Sequence, residues 1–222
     1  MDFETEEQQL DAIKKWWHEN STMIIGGLAV GVSSIFGWQY YQQETKVHAE
    51  QASVIYEQVI SNLQSPTAVN EQMLKVNNLQ AEYSDTPYAS LSSLLLAKQQ
   101  LANGEFVKAQ QQLDWVINNA EQDELVYLAK IRMARVLLST EQLDNALVLL
   151  NQAYPDSFKA MALELKGDAL LVKGEAEMAR AAYQEASSFS NSTNRWLQLK
   201  IDDIALPADN NTSAADTSEP SA

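Results

Sequence analysis

Few residues in this chain of 222 could make or break bonds. There is no Cys, which removes disulfide frameworks, thiol nucleophiles and Cys-based zinc sites together. His18 and His48 are the only histidines, too little material for a metal or acid–base centre built on imidazole. Carboxylates gather at Glu4, Glu6 and Glu7 and again at Asp202 and Asp203. Paired carboxylates can act as acid and base when their surroundings push their pKa values apart. These two clusters sit in hydrophilic runs, so both read as solvated charge. His48 likewise reads as an exposed residue just past an apolar segment. No nucleophile elbow, phosphate loop, zinc-protease motif or acidic calcium loop occurs. Asn191-Ser-Thr and Asn210-Asn-Thr fit a glycosylation pattern that is short enough to arise by chance. No catalytic, cofactor-binding or metal-binding residue is expected, and the chain reads as a non-enzyme. Binding is the chemistry that remains.

Composition narrows what could be bound and by what architecture. Thirty acidic residues against 15 basic ones give a net charge of −15 and a pI near 4.4. Neutralising phosphates takes clustered Lys and Arg, so nucleic acid is not an expected partner. Gly and Pro are scarce, at 7 and 5, while Ala, Leu and Gln recur. That balance predicts an all-α protein.

Residues 20–43 contain no charge, and 23–41 (MIIGGLAVGVSSIFGWQYY) form a nearly unbroken apolar run. A bilayer core takes about 20 helical residues to cross. Trp16 and Trp17 stand at one end, and Trp38, Tyr40 and Tyr41 at the other, as interfacial aromatics do. A single N-terminal transmembrane helix is predicted over 20–43. A buried core helix would rarely go so long without charge. A cleaved signal peptide would have a shorter apolar stretch, although Val47-His48-Ala49 resembles a small-residue cleavage site. The span is read as retained. Lys14 and Lys15 precede it and only Lys46 follows closely, so the positive-inside rule places the N-terminus in the cytoplasm. In a bacterial inner membrane, residues beyond 43 are then periplasmic. Within the tail of 1–19, Leu10, Ile13 and Trp17 predict a short amphipathic helix lying in the interface before the chain turns into the membrane. Inside the span, Gly27 with Gly31 and Ser33 with Gly37 form small-xxx-small pairs suited to packing against another membrane helix.

Beyond the span the chain repeats itself. Residues 94–113, 131–150 and 164–183 fall on one template. Small residues recur in a first helix at Ala97, Ala134 and Gly167, and in a second at Ala109, Ala146 and Ala179. Turns are expected near Gly104, Glu141 and Gly174. The spacings of 37 and 33 residues, with small side chains where paired helices cross, are the tetratricopeptide pattern. Residues 46–63 and 69–82 predict two further helices, restarting at Ser65-Pro66, and no breaker separates the first from the membrane helix. Ser84-Asp85-Thr86-Pro87 marks the next stop and start, and 196–206 predicts a final capping helix. The domain is thus set at 44–206. Residues 207–222 lack any large apolar side chain and predict a disordered acidic tail.

In such an array the first helices line a concave face. Counted from the small residue, that face predicts Leu91, Leu128 and Met161 six positions earlier, and Leu94, Ile131 and Glu164 three earlier. Lys98, Arg135 and Asp168 follow one later, and Leu101, Leu138 and Leu171 four later. The expected partner-binding groove is apolar at Leu91, Leu94, Leu128 and Ile131, basic at Lys98 and Arg135, and acidic at Glu164 and Asp168. Packing of those leucines against neighbouring helices is the alternative.

Three segments together carry a family likeness: Leu10-Asp-Ala-Ile-Lys-Lys-Trp-Trp-His-Glu-Asn20, Gly37-Trp-Gln-Tyr-Tyr41, and Gly167-Asp-Ala-Leu-Leu with Lys173-Gly-Glu and Ala179-Arg-Ala-Ala-Tyr183. From about residue 8 to 206 the chain resembles the YfgM family, ancillary subunits of the bacterial SecYEG translocon. The resemblance implies a single-pass inner-membrane protein with a periplasmic tetratricopeptide-like domain. It also implies association with the translocon and with the membrane-anchored periplasmic chaperone PpiD, and it brings no catalytic residues. The expected function is a scaffold linking translocon and chaperone during export and folding of secreted proteins. A regulatory membrane protein whose acidic cytoplasmic tail binds a soluble signalling regulator is the alternative.

Overall fold

A computed structural model describes residues 6–62, 69–190 and 194–204. Every regular element among them is an α-helix. The chain divides into two compact units, Met1–Val54 and Ile55–Ala222.

The first unit consists of most of α1, which runs unbroken over Glu6–Asn62. The predicted interfacial helix followed by a turn does not form. No Pro interrupts the segment, and Asn20, where a turn would start, instead donates its side-chain amide to the Trp16 carbonyl at 2.9 Å within the helix. The apolar stretch of α1 is long enough to cross a membrane, and none of it is buried inside the structure. Leu28, Val30 and Phe36 stay about two-thirds exposed, which rules out the core-helix alternative and leaves a helix whose apolar surface calls for lipid.

The second unit stacks helix hairpins. After α2 (Val69–Glu82) come α3 (Pro87–Ala102) with α4 (Phe106–Asn119), α5 (Asp123–Ser139) with α6 (Leu143–Leu150), and α7 (Asp156–Val172) with α8 (Ala176–Ser188). The last described element, α9, spans Arg195–Asp203. The predicted restart at Ser65-Pro66 and the acidic tail at 207–222 lie outside the described residues. Thr86 and Pro87 open α3 as expected, with Pro where a helix has no need of its N–H.

All three repeats close their first helix in the same way. Gly104, Glu141 and Gly174 take left-handed φ values of 76°, 58° and 82°. In each, the next residue's N–H reaches back six residues inclusive: Glu105 to the Gln100 carbonyl, Gln142 to Leu137 and Glu175 to Leu170, at 2.8–2.9 Å. This geometry satisfies otherwise orphaned carbonyls and turns the chain at once into the second helix. Glu141 does it with a Cβ, at a cost that Gly104 and Gly174 avoid.

The predicted small residues lie where the hairpin helices meet. Ala97, Ala109, Ala134, Ala146 and Ala179 are fully or almost fully buried. Each hydrophobic cluster joins both helices of one repeat to the first helix of the next. One combines Leu94 and Ala97 with Leu113, Val116, Ala129 and Val136; the next combines Ile131 and Ala134 with Ala146, Leu150, Ala162 and Leu165. In the third, Leu170, Ala179 and Tyr183 pack on Leu197 and Ile201 of α9. A cap thus stands where a fourth repeat would begin.

Candidate partner-binding face

A helix repeats every 3.6 residues, so positions seven apart share a face while positions three apart diverge by about 60°. That arithmetic separates the residues expected in one groove. Leu91 and Leu128 are half-buried, and Lys98 and Arg135 are exposed. Leu94 and Ile131, three residues on from those leucines, are 3% and 0% exposed and belong to the cores between repeats. They offer a partner no surface, so their place in the predicted groove is corrected. The stripe that faces outward continues instead through Leu95 on α3 and Arg132 on α5, both half-buried.

The arginine at 132 ties the first two repeats together. Its Nη1 lies 3.4 Å from the Leu94 carbonyl of α3, so the two first helices are neighbours there. Lys98 on α3 and Arg135 on α5 hold equivalent positions in the repeat, one residue after Ala97 and Ala134. Burial, and then the neighbouring Arg135, hold the Arg132 guanidinium below its ordinary pKa. Neither arginine has an ion pair among the described residues.

The third repeat uses its charges differently. Lys200 on α9 meets Glu164 at 2.8 Å and Asp168 at 2.7 Å. The Tyr183 hydroxyl donates to Asp168 at 2.7 Å, and the lysine lies over the same ring, 5.4 Å from its centroid. Burial lowers the Lys200 pKa, but the hydrogen bonds to both carboxylates outweigh it and leave the group above its ordinary value. Burial, followed by Asp168, raises the Tyr183 hydroxyl as well. Glu164 and Asp168 thus clamp the capping helix and do not form the free acidic end of a groove. Gly167 makes room for this arrangement, because Tyr183 ring atoms occupy the place of a Cβ, with Cζ only 2.8 Å from it.

Two features escaped reasoning from the sequence. A cleft of about 540 Å³ runs along the second helices α4 and α6, lined in part by Val107, Ile117, Met133, Val148 and Leu149. Val107 and Val148 are each 69% exposed. The concave face of a tetratricopeptide array is made by its first helices, and no repeated offset links these two valines on the second helices. On α9, Trp196 is exposed rather than packed, and Leu197 with Ile201 make the seal.

In the first unit, a Cβ added at Gly27, Gly31 or Gly37 would meet nothing within 4 Å. At about 100° per residue, Gly27 and Gly31 share one side of the helix and Ser33 and Gly37 another, roughly a third of a turn away. Among the described residues, no group of three or more metal-binding side chains converges.

Comparison with known proteins accounts for the whole arrangement. A family described as a tetratricopeptide repeat-like domain matches residues 14–206. A protein of Haemophilus influenzae named ancillary SecYEG translocon subunit is 31% identical over 90% of this chain and 97% of its own. Proteins of the same name from Escherichia coli and Aggregatibacter actinomycetemcomitans are 29% and 32% identical, over 92% and 90% of this chain and 98% and 97% of theirs. No solved structure matches. With the repeat architecture, the bare apolar helix and these end-to-end likenesses in hand, the chain belongs to the family of ancillary SecYEG translocon subunits, a tetratricopeptide repeat-like family.

Proposed function

We propose that this protein is a non-enzymatic, membrane-anchored adaptor of the SecYEG translocon. The reading is carried by the near full-length similarity to relatives that bear that name, spanning both the apolar helix and the repeats. In this account, residues 20–43 stay in the inner membrane, 1–19 face the cytoplasm and 44–206 work in the periplasm. The Lys14 and Lys15 flank supports that orientation. There the domain links the translocon to a membrane-anchored chaperone of the PpiD kind, holding a segment of it on the face bearing Leu91, Lys98, Leu128 and Arg135. Gly27, Gly31, Ser33 and Gly37 serve as close-packing positions against translocon helices.

Purification of the tagged full-length chain in mild detergent tests the core of the proposal. Co-recovery of the translocon with the chaperone is expected, and recovery of neither would contradict it. A reporter active only in the cytoplasm, fused after Leu206, should be silent; activity there would reverse the orientation.

A further inference from the structure

Three cations with no carboxylate partner among the described residues fall on one stripe: Lys98, Arg132 and Arg135. This is unexpected in a chain with twice as many acidic as basic residues. Elsewhere in the domain, Lys75, Lys108, Lys159, Lys173 and Lys200 sit in ion pairs, while Lys130, Lys166, Arg180 and Arg195 have none among the described residues, so it is the clustering of the three cations that sets this stripe apart. Asp168 holds the position in the third repeat equivalent to Arg135, and its Oδ1 is engaged by Lys200 and Tyr183. The single contact of Arg132 is a long one, to a backbone carbonyl. Leu91, Leu95 and Leu128 flank the cations, half-buried and so still offering apolar surface.

We propose that the stripe formed by Leu91, Leu95, Lys98, Leu128, Arg132 and Arg135 holds a short acidic, leucine-bearing segment of a partner protein. The inference rests on the reading that the first-helix face is where the adaptor holds its partner. Arg132 and Arg135 stand three residues apart on α5, and Lys98 holds the equivalent of Arg135 on the neighbouring α3, so an entering anion would relieve repulsion between like charges. Carboxylates of the partner supply it, fixing register and speeding encounter, while the leucines supply apolar contact. A basic or neutral segment would leave the cations unpaired. The chain's own residues 205–222 carry Asp209, Asp216 and Glu219 without Lys or Arg, but no Leu or Ile beyond Leu206. A separate segment with both chemistries fits the stripe better.

The test uses the full-length chain in an uncharged detergent and three fluorescent dodecapeptides. One repeats Glu-Leu-Glu-Glu, one has Gln in place of Glu and one has Lys. The acidic peptide should bind at least about tenfold more tightly than the Gln peptide, with an affinity that falls as salt is raised. The double variant Lys98→Glu, Arg135→Glu should prefer the Lys peptide. A switch in preference cannot come from unfolding, and an unchanged thermal melt serves as a second control. Equal binding of the acidic and Gln peptides, or a preference the double variant leaves unchanged, overturns the inference. So does a peptide of residues 205–222 that binds as tightly as the acidic probe, because the occupant would then be the chain itself. Those results leave the adaptor reading intact; that reading fails separately if the membrane partner crosslinks to the second-helix cleft instead of this face.

Discussion

The first two repeats and the third share a template but spend its charged positions differently. In repeats one and two, the residue after the small one is a cation, Lys98 or Arg135, exposed and without an ion pair among the described residues. In repeat three it is Asp168, held with Glu164 by Lys200 of the capping helix. The small residue differs in parallel. Ala97 and Ala134 suffice where two helices cross, whereas Gly167 is needed because the Tyr183 ring lies against its backbone. The contrast shows that place in the array, more than the template, decides whether a charged position stays exposed or seals the end. An interior repeat has a neighbour to bury its apolar side. The last has only α9 and adds charge and an aromatic ring to secure it.

The contrast can be broken most forcefully at the ring. Tyr183→Ala should cost about 3–5 kcal/mol, since Tyr183 is 1% exposed and its loss opens a cavity over Gly167. A fall in the urea midpoint of the full-length protein would read this out. Gly167→Ala should cost about 1–3 kcal/mol by overpacking against the ring. The reciprocal Ala97→Gly or Ala134→Gly should cost about 1 kcal/mol, from helix propensity. A Gly167→Ala variant as stable as wild type would erase the distinction between the repeats.

Lys200→Met should destabilise by about 1 kcal/mol, because the pair is one-third exposed and screened. Its pH dependence has a definite sign. Burial lowers the Lys200 pKa, but the hydrogen bonds to Asp168 and Glu164 outweigh it, so the folded value lies above the ordinary 10.5. A raised folded pKa gives stability that is complete below the unfolded value and is lost as pH rises through the folded one. The Tyr183 hydroxyl is raised from 10.0 and acts in the same sense. Thermal melts should therefore weaken as pH climbs past about 10, and by a smaller margin in Lys200→Met. An identical alkaline loss in both proteins would remove Lys200 from the account.

Smaller effects sharpen the picture. Glu141→Gly should stabilise by about 1 kcal/mol, because Glu141 sits at φ 58° where the equivalent turns carry glycine. The pair Lys98→Glu and Arg135→Glu should shift stability by no more than about 0.5 kcal/mol, as exposed changes usually do, whatever it does to binding.

What the sequence shows plainly is whatever repeats locally. The membrane helix announces itself by absence of charge, and the small residues and turns recur at fixed spacing. Glu141 could be assigned a glycine-like turn only because Gly104 and Gly174 stand at its equivalents. The face was harder to read. Leu94 and Ile131 lie about 60° around the helix from Leu91 and Leu128, and only packing between repeats decides which side turns inward. The fate of Glu164 and Asp168 depends on Lys200, which lies 36 and 32 residues further along the chain. No local pattern announces such a contact. The interfacial turn after Asn20 failed for a simpler reason: amphipathic spacing marks a helix face but does not end a helix.

The central claim is that the partner is held against the first helices of repeats one and two. Photo-reactive amino acids placed singly at Lys98, Arg135 and Val148 in the full-length protein, irradiated in native inner membranes, test it most directly. The account predicts crosslinks to a common membrane partner from positions 98 and 135 and none to it from 148. Crosslinks to that partner from Val148 alone would move the binding surface to the second-helix cleft and contradict the account.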